Sequence, residues 1–153
     1  MTDTDTMVRE DLPQVARLEV GLFDRPLLLQ ALETLFSGPA FYGLVRRGDD
    51  RQICAYLLAH LADGHAEILS LGTDPVWQRN GFARMMLARF LSAACEKTGG
   101  TVTLEVAIDN HAAIALYEKH GFGTVGKRAN YYQRDGYRCD ALVMQFDAAS
   151  PFS

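Results

Sequence analysis

The stretch Thr73-Asp74-Pro75-Val76-Trp77-Gln78-Arg79-Asn80-Gly81-Phe82-Ala83-Arg84-Met85-Met86-Leu87 most constrains what this chain can become. An apolar run ends at Leu71, Asp74-Pro75 turns the chain, and a basic, glycine-bearing loop runs straight into a helical pattern. A strand, a tight loop and a helix N-terminus must therefore follow one another directly. The first turn of a helix carries unpaired N–H groups and a partial positive charge. Gly81 and Ala83 leave room for close approach to that backbone, and Arg79 and Arg84 add charge, so a phosphate or pyrophosphate is the natural partner. The form Gln/Arg-x-x-Gly-x-Gly/Ala lacks the leading Gly-x-Gly of a dinucleotide fingerprint and the Gly-Lys-Ser/Thr of a Walker loop. Taken alone, ordinary turn chemistry at a helix start accounts for it equally well.

The bulk properties narrow the classes. A chain of 153 residues is expected to be one domain spanning 1–153, with 1–6 and 147–153 as flexible tails. The net charge of −4 argues against a nucleic-acid binder and is compatible with a basic peptide or amine as partner. Cys54, Cys95 and Cys139 are odd in number and form no C-x-x-C, which points to small buried apolar residues in a reducing compartment, the cytoplasm. No Cys/His spacing suits a metal. No signal peptide, membrane-length apolar run or lipidation motif is expected from the sequence.

Read in order, Met7-Val8-Arg9 suggests a short strand and Asp11 an N-cap before Pro13. Val15, Leu18, Leu22 and Phe23 recur at helical spacing, Phe23-Asp24-Arg25-Pro26 interrupts them, and Leu27 to Phe36 is a second helical stretch. Strands follow at Phe41–Arg46, Ile53–Leu61 and His65–Gly72, with Asp63-Gly64 as a hairpin turn. Asn80 to Lys97 is the clearest helix. Phe82, Met86, Phe90 and Ala93 share its stripe beside Ala83, Leu87, Leu91 and Ala94, and the Met85-Met86 pair reads as core. Thr101–Ala107 alternates, with Val102, Leu104 and Val106 on one face and Thr103 and Glu105 on the other. Asn110 caps a helix ending near His120, and Gly121 stops it. Phe122–Tyr132 and Tyr137–Phe146 close the sheet around Arg134-Asp135-Gly136. His60, His65, His111 and His120 read as surface or capping residues. The fold class is α/β: a mixed, mostly antiparallel central sheet flanked by helices inserted after strands one, four and five.

With these elements in place, the sequence resembles the GNAT family of N-acetyltransferases, and among them the ribosomal-protein alanine acetyltransferase type. Three stretches carry the likeness: Asp74-Pro75-x-x-Gln78-Arg79-x-Gly81-x-Ala83-Arg84; Leu104-Glu105-Val106, Asn110, Ala113-Ile114, Leu116-Tyr117-Glu118 and Gly121-Phe122; and Arg128-x-Asn130-Tyr131-Tyr132 with Asp140-Ala141 and Met144. They run in order from about residue 66 to 146, and the third favours the protein N-terminal subgroup. Two places depart from the family pattern. Leu71-Gly72-Thr73 stands where Ile-Ala-Val is frequent, and Leu27 follows Pro26 where an aromatic is usual in the bend that helps to form the acceptor groove.

The resemblance implies a sheet splayed between strands four and five, acetyl-CoA as cofactor without metal, and a fixed set of roles. The pyrophosphate would lie on the backbone N–H groups of Arg79, Asn80, Gly81, Phe82, Ala83 and Arg84. The pantetheine would run along Leu71, Gly72 and Thr73, with Asn110 hydrogen-bonding the cofactor, and a backbone N–H near residues 71 to 73 would face the oxyanion. Glu105 would be the general base through water and Tyr117 the general acid to the thiolate. Glu67, whose plain reading is a surface carboxylate, is the runner-up base on the acceptor side, and one or both of Tyr131 and Tyr132 would line a peptide groove. The implied activity is transfer of acetyl to a protein N-terminal α-amine, alanine on a small-subunit ribosomal protein, by a cytoplasmic monomer or weak dimer. The alternatives are a small amine or lysine side chain as acceptor, and a non-catalytic acyl-CoA-binding module, since fold does not fix function.

Overall fold

The computed structural model describes residues 4–97, 99–134 and 137–147; of 133, 134 and 137 it describes the backbone. The elements are β1 (Thr4–Thr6), α1 (Leu12–Leu22), α2 (Leu29–Phe36), β2 (Phe41–Arg47), β3 (Ile53–Ala62), β4 (His65–Thr73), α3 (Phe82–Lys97), β5 (Thr101–Ala107), α4 (His111–Lys119), β6 (Gly123–Arg134) and β7 (Tyr137–Asp147). Short 3-10 turns occupy Arg9–Asp11 and Pro75–Trp77. The strands form one sheet in the order β1-β2-β3-β4-β5-β7-β6. β4 and β5 are parallel, while β1–β2, β2–β3, β5–β7 and β6–β7 are antiparallel. The parallel register runs from His65↔Thr101 to Ile68↔Leu104 and ends there although both strands continue. This is the mixed, mostly antiparallel sheet flanked by helices that the sequence led one to expect.

The chain divides into two compact units, Met1–His60 with Leu69–Phe90 and Leu61–Ile68 with Leu91–Ser153. In the first, the core gathers Met7, Leu12, Val15, Leu32, Val45, Ile53, Tyr56 and Leu58. Seven consecutive residues of β3, Ile53 to Ala59, are buried, the pattern of a strand covered on both faces. In the second, β5 buries Val102, Leu104 and Val106 and leaves Thr103 and Glu105 half-exposed on the opposite face. Tyr117, Phe122 and Phe146 form an aromatic row with centroids 5.6 Å apart at each step. Gly100 belongs to the same unit: a Cβ there would lie 1.9 Å from the Gly64 carbonyl oxygen, so no side chain fits where β5 begins.

Several expectations shift. The strand expected at Met7-Val8-Arg9 lies earlier, at Thr4–Thr6, so these residues are not a tail; Met7 is buried and its N–H bonds Gly43 O at 2.9 Å. At the other end Asp147 pairs with Thr101 in β7, and 148–153 fall outside the described residues, as does part of the turn expected at Arg134-Asp135-Gly136. Asp11 makes no side-chain cap to α1. Its carboxylate instead accepts from Val8 N–H at 2.8 Å and takes both Arg47 nitrogens at 2.7 and 3.0 Å, because a bidentate charged partner outcompetes a neutral amide. On α3, Met86 is buried but Met85 is 46% exposed, one position off the apolar stripe. Cys54 and Cys139 are buried, whereas Cys95 is exposed for the same helical reason.

Gly72 is explained by packing. A Cβ at this position would meet Cζ and Oη of Tyr56 at 2.6 Å. The Tyr56 ring cannot yield, since it is fully buried and its hydroxyl donates to Glu19 Oε2 at 2.5 Å. Gly72→Ala should therefore lower stability by about 1–3 kcal/mol in chemical denaturation. Gly21→Ala, near the end of α1 with no atom within 4 Å of the new Cβ, should raise it by about 0.5–1 kcal/mol. Equal behaviour of the two variants would remove the steric account.

Candidate functional site

The first group of site residues lies in one unit, at the end of β4 and the start of α3. Leu71 and Thr73 are half-buried and Gly72 is buried. Asp74 then folds the turn: its N–H bonds Cys54 O at 2.8 Å, its carboxylate accepts from Val76 N–H at 3.0 Å, and its carbonyl accepts from Trp77 N–H at 2.8 Å. Pro75 supplies the fixed φ that such a turn takes at its second residue. Arg79 and Gly81 both adopt positive φ, +68° and +78°. Asn80 lies between them and its amide donates back to Trp77 O at 2.9 Å and Gln78 O at 3.3 Å. The Asn80 side chain is thus a staple of the loop, and only its backbone faces outward chemistry. The loop conformation delays α3 by two residues from the expected Asn80 start, and Met85 N–H closes the first turn on Gly81 O at 3.1 Å.

This loop fits an anion on physical grounds. α3 is a 16-residue helix with no acidic residue in its first turn. The N–H groups of Phe82, Ala83 and Arg84 are the orphans of that turn. Arg79 and Arg84 are exposed, and the Arg84 guanidinium comes within 3.3 Å of where a Gly81 Cβ would be, over the helix start. Phe82 is held from beneath by the Arg46 guanidinium, 4.3 Å from its ring centroid, and by Trp77 at 6.1 Å.

The second group lies in the other unit. Glu105 is on the polar face of β5, and its carboxylate receives Arg128 Nη1 at 2.9 and 3.0 Å from its two oxygens. Cross-strand pairing puts Glu105 opposite Val143 and Arg128 opposite Ala141, so the two side chains reach each other diagonally on one face. That hydrogen bond, opposed by desolvation, raises the Arg128 pKa above its usual range. The Arg128 guanidinium also lies 4.1 Å over the Tyr131 ring, and Tyr131 meets Tyr132 edge-on at 5.0 Å. An interruption of the β6–β7 register between Arg128 and Tyr132 makes this possible. Asn130 takes φ +56°, and its N–H is held by Asp140 Oδ1 at 2.8 Å. Glu67 pairs in register with Thr103 and so shares the polar face with Glu105. His65 is a surface residue, as expected, and engages the Thr101 and Thr103 hydroxyls at 3.2 and 3.4 Å.

Asn110 caps α4, its side-chain oxygen accepting from Ala113 N–H at 3.3 Å, which leaves its amide nitrogen as a donor. Tyr117 is 7% exposed, its ring edge-on to Phe122 at 5.6 Å. Burial, and next the neighbouring Tyr132, push its hydroxyl well above the usual tyrosine pKa, so the phenol keeps its proton throughout the neutral range. Among the described residues no cluster of three or more His, Cys, Asp or Glu could hold a metal, and no helix is long and apolar enough to cross a membrane.

Two features escaped the reading of the sequence. The Arg128–Glu105 pair depends on strand register, which one sequence does not reveal. Glu19 left a visible trace: with Leu12 and Val15 it completes the buried stripe of α1, where an acidic residue is out of place. It is 1% exposed and accepts from Tyr56 Oη and Ser70 Oγ at 2.5 Å each and from Leu27 N–H at 2.9 Å.

Comparison with known proteins follows this geometry. The sequence profile of the acetyltransferase (GNAT) family matches residues 9–122. The N-alpha-acetyltransferase RimI of Mycobacterium tuberculosis is 42% identical over 85 residues, 56% of this chain and 51% of that protein, so the match spans about half of that relative. The ribosomal protein bS18-alanine N-acetyltransferase of Salmonella typhimurium is 36% identical over 110 residues, covering 71% of this chain and 72% of that one. The crystal structure of the ribosomal-protein-S18-alanine N-acetyltransferase from Escherichia coli superimposes with a TM-score of 0.90 at 25% identity, over 98% of this chain and 96% of that one. The chain therefore belongs to the acetyltransferase (GNAT) family, a family of acetyl-CoA-dependent N-acetyltransferases.

Proposed function

We propose that the chain transfers acetyl from acetyl-CoA to the N-terminal α-amine of a protein, with the alanine of a small-subunit ribosomal protein as the first acceptor. The observation that carries this reading is that the Salmonella relative and the Escherichia coli structure, matched over most of their length, are both named for N-acetylation of a ribosomal protein alanine. Bound acetyl-CoA would supply an activated thioester carbonyl. The chain's own task is to hold that donor, keep the amine neutral and steady the charges that develop.

In this reading the first-turn N–H groups of α3 and the guanidiniums of Arg79 and Arg84 hold the pyrophosphate. The β4 backbone at Leu71, Gly72 and Thr73 pairs with the pantetheine, and the Asn110 amide donates to the cofactor. Glu105 is the base. Arg128 reaches both carboxylate oxygens through one nitrogen, so each oxygen keeps a lone pair for a water or an amine. A modest base suffices, since a terminal α-amine has a pKa of about 7.7–8.0 against about 10.4 for lysine. Tyr117 is the acid. Its raised pKa makes it a hydrogen-bond donor whose proton moves only as thiolate charge develops. Tyr131, fixed beside Arg128, and Tyr132 line the acceptor groove, with Glu67 as the other carboxylate of that face. The rival acceptors, a small amine or a lysine side chain, use the same donor half.

Three outcomes are expected. Arg79→Ala and Arg84→Ala should each weaken CoA roughly 3-fold to 10-fold by calorimetry, and less as salt rises. Unchanged affinity would end the phosphate role. CoA release on peptides differing only in the first residue should favour an N-terminal alanine over a small-amine mixture. It should fall about 100-fold or more in Glu105→Gln and in Tyr117→Phe. Turnover confined to small amines would transfer the function to the second class. Finally, because the Tyr117 pKa is raised and its neutral form persists, kcat should show no falling limb below about pH 10. A fall near pH 8 that disappears in Tyr117→Phe would contradict the assignment.

A further inference from the structure

The loop that leads into α3 is seated on the turn between β2 and β3, within one unit. Asp74 N–H bonds Cys54 O at 2.8 Å. The Trp77 ring lies over Gly48, where a Cβ would meet its Cζ2 at 3.4 Å. Phe82, the first residue of α3, rests on the Arg46 guanidinium, 4.3 Å from the ring centroid. The turn beneath is itself closed, with Gly48 N–H on Gln52 O at 2.8 Å and Arg51 N–H on Gly48 O at 2.9 Å. Arg46 is fixed from both sides, pairing with Thr4 of β1 and Ala55 of β3. A register shift follows it, and the next residue, Arg47, turns to the carboxylates of Asp11 and Asp5. Arg46 instead places its charge under an aromatic face, where a guanidinium stacks well. This placement is electrostatically unusual, because the helix dipole opposes a cation near a helix N-terminus. α3 has no acidic residue in its first turn, and the Arg84 guanidinium also lies over that end. Two guanidiniums gathered at the positive end of a 16-residue helix favour an anion there.

We propose that Arg46 is a positioning residue for the donor's pyrophosphate: through the Phe82 ring it sets the first turn of α3, whose N–H groups form the anion seat. This rests on the acetyl-CoA reading of that loop. Phe82 carries both parts of the link. Its N–H is one of the orphans of the turn, and its ring is the surface that Arg46 supports. Holding the ring fixes its χ1 and steadies the backbone at the helix start, so that binding an anion orders less of the chain. The half-buried guanidinium also adds positive potential that salt screens less than that of the exposed Arg79 and Arg84. Arg46 belongs to the hairpin as well, so its effect on the anion is separated from its effect on folding by way of the Phe82 ring.

Calorimetry of CoA binding to Arg46→Met, Phe82→Leu and the double variant tests the link. Each single substitution should weaken CoA about 3-fold to 10-fold. The double variant should bind within about 2-fold of the weaker single variant, because both changes remove the same contact. Effects that multiply overturn the inference, as does wild-type affinity in Arg46→Met. The KM for acetyl-CoA should rise in step while kcat stays within about 3-fold, and a loss in kcat alone overturns the link. Trp77 is the single tryptophan of the chain, so its emission reports on the loop. It should shift to the red in unliganded Arg46→Met and return toward the wild-type spectrum when CoA is added; an unshifted spectrum removes Arg46 from the support of the loop. Arg46→Lys, which keeps the charge but not the planar stack, carries the same cycle if Arg46→Met does not fold. Unchanged CoA affinity in Arg79→Ala and Arg84→Ala would bring down the pyrophosphate seat itself. Weakened affinity in those two with wild-type affinity in Arg46→Met would bring down this inference alone.

Discussion

A carboxylate cannot be removed from water without donors to replace it, and that constraint organises one unit of this structure. Glu19 is placed on the buried stripe of α1 by helical periodicity alone. Once there, it must collect hydrogen bonds from whatever packs around it. Tyr56 brings its hydroxyl up through the core, Ser70 turns inward from β4, and the chain after α1 bends so that Leu27 presents its N–H. The short connection from α1 to α2 is thus a consequence of electrostatic satisfaction as much as of the Asp24-Arg25-Pro26 break in helical pattern.

Elsewhere the polar groups that matter lie at element ends and register faults, where backbone pairing is incomplete. The start of α3 offers N–H groups because a helix must leave them unpaired, and the positive φ of Arg79 and Gly81 turns the preceding loop clear of them. The bulge at Asn130 breaks the β6–β7 ladder, and in that gap Arg128, Tyr131 and Glu105 form one interlocked group. The fold supplies rigid strands and a long helix; the candidate residues at the start of α3 and beside Asn130 occupy places where those elements are imperfect, whereas Glu105 and Tyr117 lie within regular elements.

What could be read from the sequence follows from this division. Element order and the loop before α3 were legible because periodicity and turn residues are local signals, whereas the parallel pairing of β4 with β5 emerges only from the structure. β5 was placed to the residue, since its alternation is clean. The start of the chain was misplaced because the three-residue β1 owes its strand character to pairing with β2 rather than to its own polar sequence. Asp11 was misread as a cap because Arg47, thirty-six residues on, is invisible to a local reading. Of the site, the residue types were visible but their partners were not. Glu105 gave no sign of Arg128, and Glu19, an acidic residue on the buried stripe of α1, was passed over.

The contact between Gly72 and Tyr56 has a consequence for how such sequences diverge. The atoms that exclude a Cβ at position 72 are the outer carbons and the hydroxyl of the Tyr56 ring. Volume at the two positions is therefore exchanged, not independently chosen. A related chain with alanine at 72 must shorten the ring at 56 by its hydroxyl or more. The hydrogen bond to Glu19 is then lost, and position 70 must provide a stronger donor in compensation. Positions 19, 56, 70 and 72 are thus coupled through volume and hydrogen bonding, and a change at one bears on the other three.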